Sequence, residues 1–73
     1  MNIAMLKFLA ELANYQVDVI DCDAFFARFP RSTSSKELHS LKNLGFISLI
    51  DAEDQISEIG VSQKLIDYVK ASS

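Results

Sequence analysis

The chain has 73 residues, 49% of them hydrophobic and 23% charged, with a formal net charge of −3. This length is that of one small domain, and the apolar content with only two glycines excludes a disordered tail. The single cysteine, Cys22, excludes an internal disulfide framework and suits a reducing compartment. The acidic total argues against a protein that coats nucleic acid through its overall charge.

The first predicted element is a helix over about residues 2–14. It contains the longest apolar stretch, residues 3–13, which is too short to span a bilayer and is interrupted by Lys7 and Glu11. Because no basic segment or cleavage pattern of a signal peptide accompanies it, we expect a cytoplasmic protein. Its apolar arc is wider than the stripe of an ordinary surface helix. The helix therefore either lies at the centre of the core or contacts a second copy of the chain.

A short extended segment and a second helix follow. Residues 16–20 alternate polar and β-branched apolar side chains, which favours an extended connection or a very short strand. Asp21 has the position of a helix N-cap, and Asp23 in the first turn suits the helix dipole. We predict a helix over residues 22–28 that ends before Pro30, because proline disfavours the helical conformation of the preceding residue.

The third predicted helix covers about residues 34–44, and Thr33 or Ser32 as the N-cap would shift its start by one or two residues. Ser34 and Glu37 have the spacing of a capping box, in which the serine hydroxyl accepts from a first-turn amide and the glutamate reaches back to the amide of the serine. Three leucines at helical spacing are expected on the buried face: Leu38, Leu41 and Leu44. Gly45 is expected to end the helix in the left-handed conformation.

From Phe46 onwards the pattern becomes that of strands. Two β-type runs, residues 46–50 and 56–61, flank a short polar segment and predict an antiparallel hairpin at about 46–61. Ser62 is expected to cap a last helix over about residues 63–71. The fold class predicted for residues 1–73 is therefore a single, mainly helical α+β domain with three helices, a β-hairpin and a C-terminal helix.

Two stretches of the chain resemble the winged helix-turn-helix domains of bacterial and phage regulators. Residues 38–47, LHSLKNLGFI, look like the recognition helix running into the first wing strand. Residues 59–64, IGVSQK, followed by IDYV at 66–69, are similar to the second wing strand and the closing helix. With the first two helices, the likeness covers residues 1–70. The resemblance implies DNA binding through the third helix and, often, dimerisation through the terminal helices, although a fold alone does not determine function.

The charge is unevenly distributed along the sequence. Residues 24–45 carry four basic side chains against one acidic one, a local net charge of +3, whereas the other 51 residues carry −6. Since attraction of phosphates needs a local basic patch and not a basic total, the predicted helix-turn-helix is the part of the chain suited to DNA.

Helical geometry places a polar face on the third helix opposite its leucines. Asn43 is suited to paired hydrogen bonds with adenine, and Lys36 to a guanine edge or a phosphate. Ser35 is expected at the helix start, where its hydroxyl and amide would contact a phosphate. The alternative is an ordinary solvated face. Two arginines near the inter-helix turn, Arg28 and Arg31, are expected to contact the DNA backbone. The expected DNA-contacting residues are Arg28, Arg31, Ser35, Lys36, His39, Ser40, Lys42 and Asn43.

The predicted wing departs from the family pattern because its end is acidic. Asp51, Glu53 and Asp54 lie there, with Glu58 on the returning strand. Carboxylates beside DNA repel phosphate, so either the wing points away from DNA or the partner is not DNA. The alternative function is a winged-helix protein–protein interaction module that uses its acidic wing and body without binding DNA.

The sequence offers no constellation for catalysis or metal binding. Cys22 and His39 are the only residues of their types and lack the spacing of zinc ligands. No phosphate-binding glycine motif is present. We expect no enzyme activity and no cofactor.

The predicted function is that of a small DNA-binding transcriptional regulator. The expected partners are duplex DNA, a second copy bound through the first and last helices, or a protein at the acidic wing, and no membrane.

Overall fold

The computed structural model describes residues 1–72, which form four helices and a three-stranded antiparallel sheet. The elements in chain order are α1 (Ile3–Leu12), β1 (Asp18–Ile20), α2 (Cys22–Arg28), α3 (Arg31–Asn43), β2 (Ile47–Ala52), β3 (Gln55–Val61) and α4 (Gln63–Ala71). This confirms a small α+β fold. Among the described residues, no helix is long and apolar enough to cross a membrane.

Helix α1 lies at the centre of the helical layer. Asn2 caps it by accepting from the Met5 amide at 3.1 Å. Two backbone hydrogen bonds close its C-terminus, from Asn14 N–H to Glu11 O and from Tyr15 N–H to Ala10 O. Asn14 adopts a left-handed φ of 54° there. The helix packs on α4 and α2. Its four buried residues are Met5, Leu6, Leu9 and Ala10. Most of its broad apolar arc is therefore covered within the chain.

The predicted N-cap of α2 is confirmed. The Asp21 carboxylate accepts from the amides of Asp23 at 2.9 Å and Ala24 at 3.2 Å. Four phenylalanine rings join this helix to α1, with centroids 5.3–6.1 Å apart: Phe8, Phe25, Phe26 and Phe29. Such offset and tilted pairs add to the apolar burial between the two helices.

The predicted start of α3 is wrong by one turn. The helix begins at Arg31, directly after Pro30, and no side chain caps it. Pro30 is the N-cap residue, with φ −55° and ψ 145°. Its missing N–H has no helical partner to lose there, and its carbonyl accepts from the amides of Thr33 and Ser34. Ser34 and Glu37 therefore lie inside the helix and form no capping box, and Ser35 lies in the second turn.

The predicted end of α3 is confirmed, but its buried face is different. Gly45 has a φ of +83°, and the bonds Gly45 N–H to Lys42 O and Phe46 N–H to Leu41 O close the helix. Leu44 is 48% exposed, contrary to its predicted burial. Ser34 instead completes the buried face with Leu38 and Leu41.

The sheet has the order β1-β3-β2, with both pairings antiparallel. Residues 18–20 thus form the short strand that was one of the two predicted alternatives. The hairpin strands extend further than predicted, because Asp51 pairs with Ile56 and Ala52 with Gln55. Only Glu53 and Asp54 remain in the turn.

As predicted, Ser62 caps helix α4. Its hydroxyl accepts from the Leu65 amide at 3.3 Å. The same hydroxyl lies 2.7 Å from the Phe46 carbonyl, so the cap also joins α4 to the start of β2. Inner residues of α4, the sheet and the other helices form one apolar cluster that includes Leu6, Phe25 and Ile59.

Candidate functional site

The exposed face of α3 is the candidate site. Ser34, Leu38 and Leu41 fix its buried side. At 100° per residue, the opposite side carries polar residues, as the sequence geometry predicts. The exposed predicted site residues on this helix are Lys36, His39, Ser40, Lys42 and Asn43. The sequence therefore places these five side chains on the surface correctly, despite the wrong helix start.

The two lysines of this face are free to bind an anion. Within residues 1–72, neither ammonium group of Lys36 or Lys42 forms a hydrogen bond or an ion pair. Lys36 lines a shallow depression with Thr33, Glu37 and Ser40. An exposed ammonium group with no protein partner can meet a phosphate without first breaking an internal contact.

Arg31 is the first residue of α3 and so lies next to the inter-helix turn, as expected. Its Nη1 donates to the Ile56 carbonyl at 2.7 Å, and its guanidinium lies 4.1 Å from the centre of the Phe26 ring. The side chain is therefore held between α2 and the β2–β3 hairpin. Arg31 thus links the start of α3 to Phe26 on α2 and to Ile56 on β3.

Arg28 stacks on phenylalanine rings at the contact of α2 with α1. Its guanidinium is 4.7 Å from the centre of the Phe8 ring on α1 and 5.7 Å from that of Phe29. The residue remains exposed at the end of α2. Arg28 and Arg31 thus stack on different rings, Phe8 and Phe29 for Arg28 and Phe26 for Arg31.

Ser35 and His39 are oriented by bonds within α3. The Ser35 hydroxyl donates to the Arg31 carbonyl at 2.8 Å. His39 Nδ1 lies 2.8 Å from the Ser35 carbonyl. A carbonyl oxygen only accepts, so Nδ1 carries the proton in this bond, and Nε2 is the ring atom left for a ligand.

A cleft of about 360 Å³ separates α3 from the end of the β2–β3 hairpin. Ser32, Ser35 and His39 line one side, and Asp51 and Asp54 line the other. The acidic end of the hairpin therefore lies beside α3. The sequence did not predict this proximity, because the contact that produces it joins residues 25 positions apart.

The carboxylates at this end of the hairpin have no ion-pair partner within residues 1–72. We define the acidic tip as Asp51, Glu53 and Asp54. Within the described part of the chain, none of the three side chains forms an ion pair or a hydrogen bond. The guanidinium of Arg31 lines the same cleft and keeps its positive charge, because its hydrogen bond goes to the neutral Ile56 carbonyl. A basic helix face and a free acidic tip thus lie side by side.

A second, larger concavity of about 590 Å³ lies over the outer face of the sheet. Val19, Gly60 and Ser48 form one rung across its floor. An added Cβ at Gly60 would collide with the Ser48 hydroxyl, so the serine side chain would have to rotate away to make room. Asp18 is its only charged lining residue, and its carboxylate accepts from the Val19 amide at 2.8 Å.

Cys22 is not placed for nucleophilic or metal chemistry. Its Sγ donates to the Ser57 carbonyl at 3.6 Å, and burial raises the pKa of the thiol above its ordinary value. A raised pKa lowers the thiolate fraction, which is the nucleophilic form. Residues 1–72 contain no group of three or more side chains suited to hold a metal ion.

Comparison of the chain with models of protein families, with curated proteins and with solved structures finds no match. The fold and the site therefore define the class of protein only as a small α+β domain that carries a basic helix face beside an acidic hairpin tip.

Proposed function

We propose that this chain is a winged-helix domain that binds duplex DNA, as a transcriptional regulator does. The element order α1-β1-α2-α3-β2-β3-α4 and the sheet order β1-β3-β2 support the proposal. In this arrangement α3 is the recognition helix and the β2–β3 hairpin is the wing. A helix of 13 residues with an uncovered polar face is long enough to lie in the major groove.

The observation that carries the proposal is the free basic face of α3. Lys36 and Lys42 are exposed and unpaired within residues 1–72, and Asn43 lies on the same exposed surface. Lysines supply phosphate attraction, and asparagine can read adenine through two hydrogen bonds. Ser40 and the free Nε2 of His39 add further hydrogen-bonding groups. Arg31, held by Ile56, contributes to the site by placing the wing.

Fluorescence anisotropy with a mixed-sequence duplex at low salt tests this function. Reversing both charges, by Lys36→Glu with Lys42→Glu, should weaken binding at least about tenfold, because two phosphate contacts are lost and repulsion replaces them. Binding by the unmodified chain should weaken as salt concentration rises.

The matched control is Lys7→Glu with Lys70→Glu, which makes the same charge change on α1 and α4. It should change affinity by less than about threefold, since neither lysine lies on α3. Equal losses in both double variants, or no binding by the unmodified chain at low salt, contradict the proposal.

The acidic tip favours a second candidate function, which is binding of a basic protein segment without DNA. Three unpaired carboxylates, two of which line the cleft beside α3, can receive lysine or arginine side chains. Amide chemical shifts distinguish the two functions. A basic peptide that shifts residues 51–55 while duplex DNA leaves α3 unchanged would favour this second function.

A further inference from the structure

The backbone of β2 carries free hydrogen-bonding groups along one edge of the sheet. The Ser62 amide donates to the Phe46 carbonyl, so Phe46 and, two residues on, Ser48 bond to the β3 side. The alternate residues of an antiparallel strand direct their N–H and C=O groups to the other side. These residues are Ile47 and Leu49. Because β2 has only β3 beside it in the sheet, their outward groups bond no other part of residues 1–72.

The opposite edge of the sheet is blocked. Strand β1 has only three residues, and its outward amide, that of Val19, donates to the Asp18 carboxylate at 2.8 Å. Short edge strands and charged edge residues are ways in which proteins prevent another chain from pairing with a sheet. Residues 46–50, FISLI, have neither a charge nor a proline. The β2 edge is therefore the one that can accept a further strand.

The size of this edge indicates what kind of partner fits it. The register shift between Ile50 and Asp51 interrupts regular pairing, so Ile47 and Leu49 supply the outward N–H and C=O groups before it. This contact is far smaller than the about 800 Å² that each of two folded proteins buries in a stable complex. An extended segment, which can also follow the hairpin beyond the strand, fits the edge better than a second folded copy.

The side chains along the edge define the chemistry of this segment. Ile50 is 53% exposed and would lie close to the opposite residue of an added strand, so an apolar residue matches it there. Asp51 and Glu53 follow, and neither carboxylate has a partner within residues 1–72. Lysine or arginine at the end of the segment nearest the turn complements them. In an antiparallel addition, this is the N-terminal end of the segment.

We propose that the β2 edge binds an extended segment of another protein, which adds antiparallel as a further strand and carries basic residues before an uncharged stretch. Backbone bonds to Ile47 and Leu49 supply affinity, and Asp51 and Glu53 select the sign of the charge. The inference goes beyond the proposed function, because DNA takes no part in it.

Amide hydrogen exchange of the full chain with a synthetic peptide tests the proposal. The peptide has two lysines followed by alternating threonine and valine residues, and a comparison peptide has glutamates in place of the lysines. With the lysine peptide at about ten times its Kd, exchange at Ile47 and Leu49 should slow about tenfold, because only the free chain exposes these amides. The Val19 amide, on the blocked edge, should keep its rate. Unchanged rates at Ile47 and Leu49 overturn the proposal, even if the peptide shifts the amides of the acidic tip.

Removal of one outward amide tests the backbone bonds directly. Leu49→Pro loses no bond to β3, and proline is tolerated on the free side of an edge strand. It should weaken binding of the lysine peptide about fivefold, because a hydrogen bond is lost. Leu49→Val is the matched control, since it shortens the side chain but keeps the N–H, and should stay within about twofold. Equal losses in the two variants overturn the proposal.

Charge reversal at the turn tests the partner's chemistry without any change to the strand backbone. Asp51→Lys with Glu53→Lys should invert the preference, so that the glutamate peptide binds at least about threefold more tightly than the lysine peptide. Glu11→Lys with Asp67→Lys makes the same charge change on α1 and α4 and should leave the preference for the lysine peptide in place. The same preference in both double variants overturns the proposal.

Two further outcomes separate this proposal from its alternatives. Light scattering that shows a dimer of the unmodified chain, with Ile47 and Leu49 already protected, would place a second copy on the edge and overturn the proposal. A chain that binds the lysine peptide but no duplex at low salt supports this inference and overturns the proposed function. A chain that binds the duplex but not the peptide does the reverse.

Discussion

The hydroxyl of Ser34 joins the end of α2 to the first turn of α3. It donates to the Phe29 carbonyl at 3.1 Å and the Pro30 carbonyl at 2.8 Å, and the residue is only 2% exposed. Buried polar groups are stable only when bonded. Ser34 therefore helps to set the angle at which α3 leaves the inter-helix turn.

Ser34→Ala should lower the free energy of unfolding by about 1 kcal/mol, because the Phe29 carbonyl loses the donor that Ser34 supplies, whereas the Pro30 carbonyl keeps the amides of Thr33 and Ser34. Urea denaturation measures this change. Ser40→Ala is the matched control on the exposed face and should stay within about 0.5 kcal/mol. Equal destabilisation by the two substitutions would show that the hydroxyl of Ser34 has no special role.

Single residues were predictable where they act on their sequence neighbours. The caps Asp21 and Ser62 and the helix end at Gly45 depend on bonds within a few positions, and all three are confirmed. Ser34 was misassigned because two local patterns compete there. The capping-box spacing fits residues 34–37, but Pro30 starts the helix first, and only the folded chain shows which pattern prevails.

At the scale of elements, Arg31 holds the hairpin against the helices. It combines a bond to the Ile56 carbonyl with a guanidinium stacked on the Phe26 ring. Sequence patterns located the hairpin and α3 separately. They could not predict that the acidic end of one lies beside the polar face of the other, because no local pattern relates residues 31 and 56.

Arg31→Met should destabilise the fold by about 2 kcal/mol, since a hydrogen bond from a charged donor and a cation–π contact are both lost. Hydrogen exchange should accelerate at the amides of β2 and β3, which lose their link to α3. Arg28→Met is the matched control, because that exposed guanidinium contacts only aromatic rings. Its cost should be below about 1 kcal/mol, with hairpin exchange unchanged. Faster hairpin exchange in the Arg28 variant would contradict the assigned role of Arg31.

At the scale of the whole molecule, little apolar surface remains for the predicted homodimer. The sequence left open whether α1 lies in the core or contacts a second copy, and the burial of its apolar arc favours the core. On α1 and α4, Ile3 and Tyr68 stay 36% and 37% exposed. A stable interface buries about 800 Å² on each partner. Two partly exposed side chains supply little of the apolar part of such an area, so we expect dimerisation through these helices to be weak.

We therefore expect light scattering to give the monomer mass of 8.2 kDa for the isolated chain, with two copies associating only on duplex DNA. DNA raises the effective concentration of neighbouring copies, which allows a weak contact to act. Tyr68→Glu should then reduce the cooperativity of DNA binding, because it places a charge in the contact. Ile50→Glu, which changes an exposed apolar residue on the sheet, should not. A dimer that is stable without DNA would instead show that a second copy covers more of the surface than α1 and α4 expose.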